Sequence, residues 1–424
     1  MMYAVLKPFR ARGCVDAPGS KSAAHRLLIL AALGDRPCRL LLDSVNEDIL
    51  ATLSCLKALG CEWTREGEAF TVYPIRERAP APKLDCGESG STLRFLLPVV
   101  LGLGGAEMTG RGRLPLRPMD ELLRALEKEG AVFSQRRLPL KASGSFDGGE
   151  FTLPGNVSSQ YLTGLMLASP LARRDTVIRL TTPLESAAYV DMTLDALALF
   201  GVRCERGADF FRVPGGQRPK TPEEPVRVEG DWSGAAFPLC LGALGGDVRV
   251  RHLDAASRQG DRAILGILKE MGADAEITED GARVRAGAGT LRAADADVAG
   301  IPDLVPPLAA VMMHARGTSR LYNASRLRLK ESDRLKTTRD MVNALGGDAE
   351  ILEDNLVIRG REHIPGGRAD GAGDHRIVMA AAVAASSCEG ESGVSDPGAL
   401  NKSYPSFPDH IRFLGGTFDV FDVR

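Results

Sequence analysis

In AILGILKEMGADAEITEDGARVRA, Ala263 to Ala286, an amphipathic run ends at a glycine and gives way to two alternating segments around a polar turn. Gly272 stands at the C′ position of the helix, where positive φ costs glycine nothing. The segments on either side of the Glu-Asp-Gly turn predict a hairpin. The same signature recurs in both directions along the chain. It is found in ILATLSCLKALGCEW around Gly60, MDELLRALEKEGAVF at Gly130, MTLDALALFGVRC at Gly201, TTRDMVNALGGDAE at Gly346 and SFPDHIRFLGGTFD at Gly415. Successive glycines lie 70, 71, 71, 74 and 69 residues apart, so six units of about 70 residues account for the chain. Three of these glycines, Gly60, Gly201 and Gly346, are followed by the same hairpin pattern as Gly272, in CEWTREGEAFTVYP, VRCERGADFFRVPG and GDAEILEDNLVIRG.

A second element lies upstream in each unit, with a polar or glycine-rich start leading into an apolar helix. The copies are GSKSAAHRLLILAAL from Gly19, GESGSTLRFLLPVVLGL from Gly87 and GNVSSQYLTGLMLASPL from Gly155, then GDWSGAAFPLCLGAL from Gly230, IPDLVPPLAAVMMHA from Ile301 and GDHRIVMAAAVAASS from Gly373. Each unit therefore reads as strand, buried helix, strand, outer helix and hairpin. Helices apolar on nearly all sides belong inside, against sheets or one another. Their polar starts have an ordinary explanation, because Ser, Thr and Asp cap helices everywhere. Lys21, Arg26, Arg94 and Arg376 in or near the first turns need another, since cations there oppose the helix dipole. An anionic ligand would remove the conflict. The Pro-rich stretch VPGGQRPKTPEEPV, Val213 to Val226, is the candidate linker between two halves of three units.

Composition narrows the function classes. With 53 Lys and Arg against 55 Asp and Glu, the 424-residue chain lacks the basic excess of a phosphate-coating nucleic-acid binder. Its 14 Phe, 6 Tyr and 2 Trp are too few for base-stacking platforms. The longest apolar run, Phe95 to Gly105, is half a membrane span and is interrupted by Pro98, so neither nucleic acid nor membrane is an expected partner. The eight cysteines form no CxxC pair and the N-terminus has no export signal, which reads as free thiols in the cytoplasm. The six histidines have neither HxH nor HExxH spacing, so no metal site is expected.

Several motifs, in this order, resemble the 5-enolpyruvylshikimate-3-phosphate synthase family, the 3-phosphoshikimate 1-carboxyvinyltransferases. They are PGSKSAAHR (Pro18 to Arg26), GESGSTLRF (Gly87 to Phe95), GRGRLPLRPMDEL (Gly110 to Leu122), NVSSQYLTGL (Asn156 to Leu165), EGDWSGAA (Glu229 to Ala236), IPDLVPPLA (Ile301 to Ala309), RLKESDRL (Arg328 to Leu335) and GDHRIVMA (Gly373 to Ala380). The resemblance implies an α+β (mixed α/β) fold, a two-domain inverted repeat of six βαβαββ units. Three units lie in each domain, and the N-termini of the buried helices face the interdomain cleft. Residues 21–228 would form one domain, and 1–20 with 229–424 the other. It further implies a monomeric transferase of the shikimate pathway, in chorismate and aromatic amino acid biosynthesis. That enzyme joins shikimate 3-phosphate to phosphoenolpyruvate by addition and elimination through a tetrahedral intermediate, releasing phosphate without metal or organic cofactor.

By the same resemblance, Lys21, Ser22 and Arg26 contact the substrates, Lys21 reaching both. Ser158, Ser159, Gln160 and Ser186 hold the shikimate phosphate side. Gly90, Arg117, Gln160, Arg334, Arg376 and Lys402 clamp phosphoenolpyruvate. Arginine suits a carboxylate because its planar fork binds two oxygens at once. Asp303 is the expected acceptor of the 5-hydroxyl proton, with Lys330 beside it, and Glu331 handles the methylene proton. Base and acid on opposite sides of the reacting carbon are what addition followed by elimination requires. From the residues alone, Asp303 could equally be a helix cap, and Lys330 with Glu331 a solvated pair.

The chain departs from the family at Glu88, where Asn is common, at Ser91 in place of Thr, and at Phe95 in place of Pro. Either Asn323 or Arg326 takes the remaining shikimate-contact position. The sister enzyme acting on UDP-N-acetylglucosamine is the nearest rival. It carries Asn after the first-helix lysine and a reactive Cys near the Arg-Pro motif, whereas this chain has Ser22 and no cysteine from Gly104 to Phe133. A non-enzymatic repeat protein binding partners along an extended face is the other rival.

Overall fold

The computed structural model describes residues 2–422; Met1, Val423 and Arg424, at the limits of the expected second domain, lie outside it. Among the described residues the strands form six four-stranded sheets of one design. In the third repeat Gly149–Leu153 runs parallel to Thr176–Leu180, which is antiparallel to Phe210–Val213, with Glu205–Arg206 on the far edge. The strands of a unit thus lie side by side in the order first, second, fourth, third. The parallel pair needs a crossover, which the buried helix supplies.

Those helices are Lys21–Ala32 (α1), Gly90–Gly102 (α2), Ser159–Ala168 (α3), Trp232–Ala243 (α4), Val305–Met312 (α5) and His375–Ala385 (α6). All twelve residues of α4 are buried, as an all-apolar surface requires. The six repeat glycines, Gly60, Gly130, Gly201, Gly272, Gly346 and Gly415, all have positive φ, between 69° and 103°. The helices end where the sequence places their stops, because only glycine enters that region without a Cβ clash.

By internal contacts the chain divides into Gly19–Val228 and a unit made of everything up to Pro18 together with everything from Glu229 onward. In the first, α1, α2 and α3 pack on one another inside one hydrophobic core. Gly164 of α3 allows the closest approach, since a Cβ there would lie 2.2 Å from the Arg94 carbonyl of α2. In the second, α4, α5 and α6 do the same.

Two exchanges close the repeats. Arg12–Asp16 leads into α1 along the chain but pairs in parallel with Asp247–Arg251. Val226–Arg227 leads into α4 but pairs in parallel with Cys38–Leu41. The opening strand Met2–Leu6 plays the part of the unit's fourth strand in the last sheet, lying between Ser392–Ser395 and Asp419–Asp422. The Pro-rich stretch differs from a free linker. Thr221 donates to Asp35 and to the Arg36 carbonyl, and Val226 is already in a strand, so the segment is bound along Gly19–Val228. Among the described residues no helix is long and apolar enough to cross a membrane.

Candidate active site

In the Gly19–Val228 unit the starts of the three buried helices collect the candidates. Ser20, Ser89 and Ser158 cap α1, α2 and α3, each accepting from a backbone N–H of the first turn. Capping and an anion-binding role are therefore not alternatives here, because a cap satisfies one N–H and leaves others. Lys21 opens α1 with its ammonium 2.8 Å from Asp48. Gly90 opens α2, and a Cβ there would meet Arg117 at 2.7 Å and Arg94 at 2.9 Å, so two guanidinium groups lie over its backbone. Gln160 of α3 accepts from Arg94 at 2.6 Å and donates to Ser91 at 3.0 Å, tying the starts of α2 and α3 together. Ser159 and Ser186 are buried, and Ser186 holds φ +54° directly before the helix Ala187–Leu199.

Arg26 points inward. Its guanidinium donates to the hydroxyls of Thr193 and Thr163 and to the carbonyls of Ser22 and Tyr189, and it lies 5.1 Å over the Phe95 ring. Glu88 sits with its carboxyl group against Gly112, in the segment that leads to Arg117.

The second cluster is built within the other unit. Asp303, in the turn Pro302–Leu304 that leads into α5, meets Arg334 at 2.8 Å, Arg376 at 3.0 Å and Lys330 at 3.4 Å. Arg334 is fully buried and also binds Glu331 and, at 3.0 Å, Asp374. Asp374 caps α6 by accepting from the Arg376 N–H, which fixes Arg376 on the first turn. Lys402 donates to the carbonyl of Gly373, one residue before that cap. Behind Arg376 the hydroxyl of Ser233 meets the buried carboxyl of Asp261.

Burial drives these charges in different directions. For Asp303 burial favours the protonated form, yet the charges of Arg376, Lys330 and Arg334 outweigh it and hold the carboxyl far below the usual carboxylate range. Burial lowers the Lys330 ammonium despite Asp303. Asp261 is pushed up to about 7 by burial and by the charge of Asp303. This cluster can deliver a carboxylate, an amine of reduced basicity and two arginine forks to one anionic ligand.

Of the open pair, Asn323 donates to Asp297, whereas the charge of Arg326 adds a small part to the lowering of the Lys330 ammonium. The reading of the residues missed Asp48, Asp261 and Asp374. Only Asp374 had a local signal, as the polar residue opening a buried helix two positions before Arg376. Asp48 and Asp261 become partners through packing between segments distant in sequence.

The family model described as EPSP synthase (3-phosphoshikimate 1-carboxyvinyltransferase) matches residues 5–411. A 3-phosphoshikimate 1-carboxyvinyltransferase of Methanocorpusculum labreanum is 40% identical over 409 residues, 95% of this chain and 96% of its own. One from Clostridium kluyveri is 38% identical over 429 residues, covering 100% of each chain. The solved EPSP synthase of Acinetobacter baumannii superposes with a TM-score of 0.84 at 25% identity, over 99% of this chain and 100% of that one. Sequence match along nearly the whole length and agreement in fold lead to one conclusion: this chain belongs to the EPSP synthase family.

Proposed function

We propose, residue by residue, how this chain performs its family's reaction, the transfer of the enolpyruvyl group of phosphoenolpyruvate to shikimate 3-phosphate with release of phosphate. Shikimate 3-phosphate is held by Lys21, Ser22, Ser158, Ser159, Gln160, Ser186 and Lys330. Arg26, whose guanidinium also holds the Ser22 carbonyl, contacts the same substrate. Phosphoenolpyruvate is held by Lys21, the Gly90 backbone, Arg117, Gln160, Arg334, Arg376 and Lys402. Asp303 takes the proton of the 5-hydroxyl as it adds to C2 of phosphoenolpyruvate, and Glu331 manages the proton at C3. Phosphate leaves when C3 gives its proton back. A monomer in a reducing cytosol is part of the same reading, and the eight cysteines without disulfides fit that compartment.

The observation that carries the assignment is the sharing of one Asp303 carboxylate by Lys330, Arg334 and Arg376, with Glu331 joined through Arg334. A carboxylate so heavily paired is a poor base. Phosphate and carboxylate groups arriving on Arg334 and Arg376 compete for those cations and return basicity to Asp303 when substrate is present.

Purified protein given both substrates should release phosphate, with shikimate in place of its phosphate as control, and should do so after dialysis against a chelator. Asp303→Asn should keep shikimate 3-phosphate binding by calorimetry while turnover falls by roughly two to four orders of magnitude. Loss of binding in step with rate would make Asp303 structural.

A further inference from the structure

His25 lies in the middle of α1 with no exposed surface and no place in the assignments above. Its Nδ1 is 2.7 Å from the Thr52 hydroxyl, which is 2.7 Å from the Thr92 hydroxyl. The Thr92 hydroxyl has two acceptors in reach, the Ser89 oxygen at 2.8 Å and the Asp48 carbonyl at 3.4 Å, of which Ser89 is the nearer, and Ser89 also accepts the Thr92 N–H as the cap of α2. These groups are buried on three helices, α1, α2 and Glu47–Ala58.

Counting protons sets the direction of the chain. The Thr92 proton is used at Ser89, so the Thr92 oxygen accepts from Thr52. The Thr52 proton is then used, so Thr52 accepts from His25. With the Thr92 proton used in this way, Nδ1 carries the hydrogen. Burial keeps the ring neutral, reinforced by the nearby charges of Lys21 and Arg26. Nε2 is left as a buried nitrogen without a partner beside the Phe95 ring. An orphaned buried acceptor is costly, and a side chain serving only to fill space would not incur that cost.

We propose that His25, as the Nδ1–H tautomer, is a positioning residue that acts through Thr52, Thr92 and Ser89 to fix the Gly90–Ser91 start of α2 for phosphoenolpyruvate. This rests on the reading that the Gly90 backbone receives that substrate. A chain in which each link is hydrogen-bonded to the next holds one geometry, whereas a broken link lets the cap and the backbone beyond it relax.

Four variants and one spectrum test it. His25→Phe keeps a ring and removes the donor, so the Michaelis constant for phosphoenolpyruvate should rise about tenfold while kcat and the constant for shikimate 3-phosphate stay within about twofold. Thr52→Val breaks the chain one link further on without touching the ring, and should behave alike even if His25→Phe fails to fold. His25→Asn, whose amide nitrogen can stand where Nδ1 stands, should restore the original constant. Nitrogen NMR of the full-length protein near neutral pH should show a neutral Nδ1–H imidazole. Equal phosphoenolpyruvate constants in His25→Phe, Thr52→Val and His25→Asn, or an Nε2–H tautomer, would overturn the proposal. Arg117→Ala separates the two layers of inference. If it raises the phosphoenolpyruvate constant while His25→Phe and Thr52→Val do not, the hydrogen-bond chain is wrong. If it too has no effect, the assignment of the Gly90 loop fails and takes the proposal with it.

Discussion

Asp303 and Asp261 are the same side chain in one cluster, yet their surroundings send them in opposite directions. Three cations face Asp303 and keep it ionised despite burial. Asp261 meets a serine hydroxyl and the field of Asp303, and burial with that field pushes it up to about 7. The sign of the consequence follows from proton counting. Between the ordinary carboxylate value of 3.8 and about 7, the native state keeps a proton on Asp261 that the unfolded chain has released. Stability from this group is therefore complete below that window, falls as pH rises through it and is flat above. Asp261→Asn should abolish the slope. Urea unfolding at pH 5 and pH 8 should show the unmodified protein losing on the order of a few kcal/mol that the variant keeps. Parallel losses in both would place the titration elsewhere. Asp303 has the opposite sign, since its depressed value loses stability only on acidification below the ordinary range.

Helix ends carry the next level of information. The six repeat glycines were legible because a positive φ is a local demand that local sequence meets. Their mutational costs should nevertheless differ, because tertiary surroundings differ. At Gly272 a Cβ would meet nothing within 4 Å, so Gly272→Ala should lose only the backbone term, about 1–2 kcal/mol. At Gly60 a Cβ would lie 2.3 Å from the Glu77 carbonyl, so Gly60→Ala should lose a further 1–3 kcal/mol or so for the forced shift. Denaturant unfolding of the two variants checks the ranking, and equal losses would contradict it. The caps behave similarly. Ser20, Ser89, Ser158, Asp231 and Asp374 could be named from sequence as helix starts, but α5 has no side-chain cap and begins through a short turn containing Asp303. Freed from capping, that carboxylate is available to the cluster.

At the scale of the molecule, each unit closes only with strands from distant parts of the chain. Ala4 is fully buried and paired on both sides, with Val394 and Val420. A proline there removes a ladder donor from a central strand, so Ala4→Pro should cost at least about 2 kcal/mol. Amide exchange should then show protection lost across Ser392–Ser395 and Asp419–Asp422 but kept in the sheet of Cys38–Leu41 and Ala69–Tyr73. Equal loss in both sheets would mean that the two units unfold as one. The repeat, the helix stops, the buried helices and the ordered motifs are all legible in the chain before it folds, since periodicity and glycine conformation are properties of a few neighbouring residues. Legible there too are the residue types of the site, because cations at the starts of apolar helices are anomalous without an anion. Folding was needed to show that Arg12–Asp16 and Val226–Arg227 exchange sheets, that the Pro-rich stretch is bound along its own unit, and that the Arg26 guanidinium is buried among Thr163, Thr193 and Tyr189. It alone decided which carboxylates answer Lys21, Arg334 and Arg376. Arg251 and Asp16, paired across one exchanged strand, are 235 positions apart. No local pattern encodes such a partner, and the burial that sets each group's charge exists only once the chain has closed.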